Sequence, residues 1–164
     1  MPMRALALLV ALAAAPAAAQ GVGAETGRPL PRFESLRFEA ANMRRGAGED
    51  YPIAWQYRRR GLPVEVLQEW GDWRRVRDPQ GESGWMKRTQ LTARRTVVTT
   101  AEAVMREAGA EGAAKVARAE AGAVLDLLAC GPGWCEARAQ GFQGWLPKAA
   151  LWGVGADEAF AAED

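Results

Sequence analysis

Gly71-Asp-Trp73-Arg-Arg-Val76-Arg77, followed after a short turn by Gly84-Trp85-Met86-Lys-Arg-Thr-Gln-Leu91, has a counterpart further along the chain in Pro132-Gly-Trp134-Cys-Glu-Ala137-Arg138 and Gly144-Trp145-Leu146-Pro-Lys-Ala-Ala-Leu151. Spacing is kept along with residue type. The Trp-to-Trp interval is 12 positions in the first copy and 11 in the second, and the second Trp precedes its Leu by 6 in both. Upstream, a glycine stands 12 positions before the first Trp of each copy, opening Gly61-Leu-Pro-Val64-Glu-Val66-Leu67 and Gly122-Ala-Val-Leu125-Asp-Leu127-Leu128. Three intervals held together mark an internal repeat, so the chain is two tandem modules rather than one larger domain.

Each copy has the composition of short strands joined by tight turns. Val64 and Val66, or Leu125 and Leu127, alternate with other residues at period two and fill one face of a strand. Gly71-Asp72 and the run Cys130-Gly-Pro-Gly133 are turn formers placed just before Trp73 and Trp134. On the strand that follows, Val76 or Ala137 faces inward while Trp73 faces the opposite way. A second turn, Asp78-Pro-Gln-Gly81 or Gln140-Gly141, leads to a Gly-Trp pair in which glycine serves a close backbone approach or an unusual φ. Trp85 and Trp145, leading into Met86 and Leu146, are expected in the core or between modules. Many short strands, Gly/Pro turns and no helical stripe predict an all-β fold of two small β-barrels.

Outward from the repeat, the chain opens with Met-Pro-Met-Arg4, an apolar run from Ala5 to Ala15, then Pro16 and Ala17-Ala18-Ala19 before Gln20. This is the pattern of a cleavable signal peptide over residues 1–19, since a spanning helix needs about 20 apolar residues. The expected organisation is therefore 1–19 signal peptide, 20–34 flexible Gly/Pro-rich lead-in, 35–92 first module, 93–154 second module with its connecting strand, and 155–164 disordered acidic tail. Export to the periplasm or beyond follows, with no membrane insertion after cleavage. Cys130 and Cys135 bracket a turn in an oxidising compartment and are expected to form a disulfide. Charge is uneven: residues 35–100 carry 13 Lys and Arg against 8 Asp and Glu, whereas residues 101–164 carry 5 against 10. The arginines are scattered among acids, and an exported chain with no overall basic excess is not expected to bind nucleic acid.

There is no histidine anywhere in the 164 residues. That removes Ser/His/Asp and Cys/His triads, imidazole general bases and His-ligated zinc, while two cysteines leave an all-Cys zinc site short of ligands. A carboxylate-pair hydrolase stays formally open, but no pattern marks such a pair. The expectation is a non-catalytic protein with no metal and no cofactor.

The opening of the first copy, Ala41-Asn42-Met43-Arg44-Arg45-Gly46-Ala47-Gly48 followed by Tyr51-Pro52, resembles the N-x-R-x-G-x-G…Y-P start of bacterial SH3 domains. The later Gly-Asp-Trp-x-x-Val and Gly-Trp-x-x-x-x-x-Leu are similar to the same family, and the likeness covers about residues 36–154. The second copy departs at its start: Ala103-Val-Met105-Arg106-Glu-Ala-Gly109 keeps the arginine but lacks the Asn and the Tyr-Pro. SH3 resemblance implies a peptide groove lined by aromatics, with Trp73 matching the groove tryptophan at a strand start. Tyr51, Trp55, Trp70 and Trp73 are the candidate ligand-binding residues, and Arg44 either bridges a carboxylate within its barrel or meets one on a ligand. Two functions are carried forward. One is a binding or adaptor module that recognises cell-wall peptide or an envelope protein; the other is a structural or regulatory assembly factor with no small ligand. The first module is the expected binder and the second its support.

Overall fold

A computed structural model describes residues 21–161; the signal peptide read at 1–19 lies outside them. Its strands are β1 (Gly21–Val22), β2 (Pro29–Leu30), β3 (Arg32–Leu36), β4 (Ala40–Arg44), β5 (Ile53–Arg58), β6 (Pro63–Trp70), β7 (Trp73–Arg77), β8 (Ser83–Lys87) and β9 (Leu91–Thr92) in the first half. The second half adds β10 (Thr96–Thr99), β11 (Ala103–Arg106), β12 (Lys115–Ala119), β13 (Val124–Cys130), β14 (Trp134–Ala139), β15 (Phe142–Pro147) and β16 (Leu151–Trp152). Two seven-stranded antiparallel sheets result, ordered β5-β4-β8-β7-β6-β3-β9 and β12-β11-β15-β14-β13-β10-β16. The order is the same in both, so the sequence repeat is a repeat of topology. Among the described residues no helix is long and apolar enough to cross a membrane.

Each sheet curls around its own core. The first core contains Val64, Val66, Val76, Met43, Met86 and Leu91, and the second Leu125, Leu127, Ala137, Met105, Leu146 and Leu151. The alternating valines and leucines of the repeat thus face inward as their spacing requires. A β-bulge between Met43 and Arg44, matched between Met105 and Arg106, and another between Val66 and Gln68, matched between Leu127 and Ala129, bend the strands where each sheet closes. The Gly-Trp glycines work by close approach: a Cβ on Gly84 would sit 2.7 Å from the Arg44 carbonyl oxygen, and one on Gly144 2.5 Å from that of Arg106.

Three expectations are corrected. Trp85 and Trp145 are only half-buried, whereas Met86 and Leu146 are fully enclosed. Val76 is inward and pairs with Gly84, so period-two alternation turns Trp85 out and Met86 in. Second, the lead-in is ordered: β3 begins at Arg32, before Ser35, and pairs with both β6 and β9. Ahead of it, β1 and β2 form a hairpin whose loop closes over Glu69. That carboxylate accepts hydrogen bonds from the Glu25 and Thr26 amides (both 2.9 Å) and the Thr26 hydroxyl (2.7 Å), and it pairs with Arg32 at 2.8 Å. Third, residues 155–161 of the expected tail are ordered. Phe160 exchanges two backbone hydrogen bonds with Cys130, and the Glu158 carboxylate is held by Arg95 and the Gly155 amide.

The expected disulfide is present, with Cys130 and Cys135 as directly opposed residues of the β13–β14 hairpin.

The two barrels meet across a buried polar contact. Thr96 Oγ1 donates to the Gly61 carbonyl at 2.6 Å, and Ser35 Oγ lies 2.6 Å from Thr96 Oγ1 and donates to the Arg94 carbonyl at 2.7 Å. Phe33 meets Trp152 edge to face with ring centres 5.2 Å apart.

Candidate functional site

The outer face of β7 and β8 gathers most of the predicted residues. In antiparallel sheets directly opposed residues share a face. Trp85 is opposed to Arg44 on β4 and to Arg75 on β7, which sets a tryptophan between two guanidinium side chains in one row. In the next row Trp73 opposes Lys87, and across the two-residue turn at Gly71-Asp72 it also opposes Trp70. Gly71 takes φ 50°, the left-handed conformation that so tight a turn requires. Trp70 is 66% exposed at this hairpin tip, and Trp73 is half-buried beside it.

Arg44 ties the face to the loop that follows β4. Its Nη1 donates to the Tyr51 carbonyl at 2.7 Å and to the Glu49 carbonyl at 3.0 Å, so it bridges backbone oxygens rather than a carboxylate. The Tyr51 ring rests on Gly46, where a Cβ would overlap it, and lies close to Gly48. That explains the glycines of the Gly46-Ala-Gly48 opening: they make room for a ring that still exposes half its surface. Lys87 pairs with Glu49 from the same loop, and that hydrogen bond and charge hold the Glu49 carboxyl below its ordinary range. Arg75 stays exposed and enters no ion pair among the described residues.

Trp55 does not join this face. It opposes the buried Met43, so it projects on the core side of the sheet. As part of the edge strand β5 it remains 53% exposed. The structure therefore brings Trp70, Trp73, Arg44 and, through the loop, Tyr51 to one side, and leaves Trp55 on the other. Trp85 and Arg75 were missed as site residues. The signal for both was the alternation fixed by Val76, which sends Arg75 outward and, through Gly84, Trp85 as well.

The second barrel repeats the frame with altered chemistry. Arg106 donates to the Ala113 carbonyl at 2.9 Å, seven residues on, as Arg44 does to Tyr51. Trp145 opposes Arg106 on one side, but on the other it meets Glu136 where the first barrel has Arg75. Glu136 accepts from Gln143 at 2.9 Å. With no Tyr-Pro, the loop closes directly on the aromatics: a Cβ on Gly109 would lie 3.0 Å from Trp134 and 3.3 Å from Trp145. Among the described residues no group of three or more acidic or cysteine side chains is placed to hold a metal ion.

Comparison with known proteins agrees with this duplicated frame. The sequence model of the bacterial SH3 domain matches residues 38–92 and again 99–153. A search of curated proteins finds no match. Among solved structures the chain is similar to NlpC2 from Trichomonas vaginalis at 14% identity, covering 74% of this chain and 48% of that one with a TM-score of 0.36. It is also similar to NlpC1 from the same organism at 15% identity, covering 79% and 48%, again with a TM-score of 0.36. The chain spans about half the length of these two proteins.

Proposed function

From the premise that this chain belongs to the bacterial SH3 domain family and carries the domain twice, we propose that it is a non-catalytic exported binding protein whose first barrel recognises carboxylate-bearing cell-wall peptide. The observation that carries the reading is the row Arg44–Trp85–Arg75. A tryptophan face offers apolar contact area to an extended peptide, and a flanking guanidinium offers paired donors to a carboxylate. Of the two arginines, Arg75 is the one whose donors are not spent on its own loop. The disulfide and the domain family fit an extracellular setting, and the leader at 1–19 supplies the route.

Sedimentation of the purified protein with isolated peptidoglycan tests this. The parent is expected in the pellet, Trp85→Ala and Arg75→Glu in the supernatant, and Glu136→Arg in the second barrel is expected to leave the result unchanged. Loss of neither variant's binding, or no binding by the parent, would overturn the wall reading. The opposite charge of the two halves favours the alternative of an assembly factor. In that case an envelope protein, not wall material, is retained, and retention falls steeply between low and high salt.

A further inference from the structure

The second barrel contains a hollow beside its edge strand β12. Matched register makes the reason legible residue by residue. Met43 opposes Trp55 and Ala41 opposes Tyr57 in the first barrel; in the second, Met105 opposes Ala117 and Ala103 opposes Ala119. Two aromatic side chains of the edge strand are thus replaced by methyl groups. The partner of the tyrosine is gone as well. Tyr57 is buried and its hydroxyl donates to Asp78 at 2.9 Å, while the position two residues after Ala137, equivalent to Asp78 two after Val76, is Ala139. What remains is a cavity of about 490 Å³ walled by Met105, Ala117, Ala119, Leu125 and Ala139, with Phe142 half-exposed at its mouth.

We propose that this hollow is a second binding site, separate from the Trp85 face, and that it takes the apolar aromatic side chain of an extended peptide that also carries a basic residue. The first barrel shows what fits, because there a ring of the chain's own edge strand occupies the same place. The hollow opens along β12, whose outer edge has no strand beside it among the described residues. A peptide strand can add there through backbone hydrogen bonds and present alternate side chains to the cavity. Charge selects the neighbour: Glu120 lines the rim, is exposed, and makes no ion pair among the described residues, whereas Arg118 is paired with Glu102. Loss of the Asp78 equivalent selects the ring. A phenol hydroxyl would enter without the acceptor that Tyr57 has, so a phenylalanine ring is preferred over a tyrosine ring by roughly ten- to a hundredfold.

The test uses the purified protein and a blocked hexapeptide of glycines with a central Phe-Lys pair, followed by NMR titration. Saturable binding is expected with shifts at Ala117, Ala119 and Ala139. Affinity should fall at least tenfold when Phe is replaced by Ala, and several-fold when Lys is replaced by Glu. The double variant Ala119→Tyr/Ala139→Asp rebuilds the tyrosine plug of the first barrel, so it should stay folded and lose the peptide. Should that variant fail to fold, Ala117→Trp fills the mouth at a site where the first barrel tolerates an exposed tryptophan, and it should also abolish binding. The proposal is overturned by absence of saturable binding, by equal affinity for the Ala peptide, by binding that survives a filled cavity, or by shifts that map to Trp85 instead.

Discussion

Glu69 shows how one side chain organises a region that has no secondary-structure signal of its own. Burial by itself would raise its carboxyl, but hydrogen bonds from Thr26 and Arg32 and from the Glu25 and Thr26 amides outweigh that and bring it down to about 2 from an ordinary 4.5. A carboxyl lowered in the folded state stabilises fully above its unfolded value and loses that contribution as pH falls through its folded value. The loss therefore spans about pH 4.5 down to 2 and amounts to something on the order of 3 kcal/mol. Denaturant melts of the parent should weaken across that window, and Glu69→Gln should flatten the dependence there. The same variant leaves Arg32 and Arg74 facing a neutral group and is expected to cost about 3 kcal/mol at pH 7. An unchanged acid limb in the variant would show that the loop over Glu69 is not held by its charge.

Between elements, the β13–β14 hairpin joins the disulfide to the tail. The Cys130–Cys135 bridge closes a short loop, and Cys130 is also the residue on which Phe160 pairs. Its chain-entropy contribution is about 2 kcal/mol. The Cys130→Ala/Cys135→Ala variant is expected to lose about that much in urea melts, and its Phe160 amide should exchange faster with solvent. Full protection of Phe160 in the variant would mean that the tail pairs with residue 130 without the staple, supported by Arg95 and Lys148. These elements also mark where sequence was readable. Strands β6 to β8 and β13 to β15 follow from tryptophan spacing and valine or leucine alternation, because those signals are local. The β1–β2 hairpin and the tail carry no periodicity; their order comes from contacts such as Thr26 with Glu69 and Phe160 with Cys130, which lie far apart along the chain. The placement of Trp85 was legible in principle from the inward Val76. The local signal misleads there, because a large apolar side chain after glycine equally fits a core position. The hollow of the second barrel was not legible without strand register, since Ala117 and Ala119 acquire meaning only opposite Met105 and Ala103.

For the molecule as a whole, each barrel is near the size at which a single core is marginal, so the contact between them bears on the stability of both. The contact is specific. Thr96 and Ser35 bury their hydroxyls at the junction, Val124 of the second barrel packs on the first core, and Arg59 donates to the Gly122 carbonyl at 2.6 Å. Gly153 lies at the junction at φ 110°, and a Cβ there would lie 2.8 Å from the Thr96 carbonyl oxygen of its own barrel and 3.1 Å from Pro63 of the other. The parent is therefore expected to unfold in one calorimetric transition whose measured enthalpy matches the van't Hoff value. Gly153→Ala adds both a backbone penalty and a clash at the junction, and should split the endotherm in two. Gly141→Ala separates these effects, because Gly141 has a similar φ of 83° but nothing within 4 Å of an added Cβ. It should lower the stability of the parent by about 1–3 kcal/mol while keeping a single transition. One transition in Gly153→Ala would mean that the coupling runs through other contacts, and two in the parent that the barrels fold independently. The peptide face around Trp85 and the hollow beside β12 would then be two sites on a flexible pair. A fixed junction instead holds them at one separation, so a partner engaging both must span that distance to gain from the second contact.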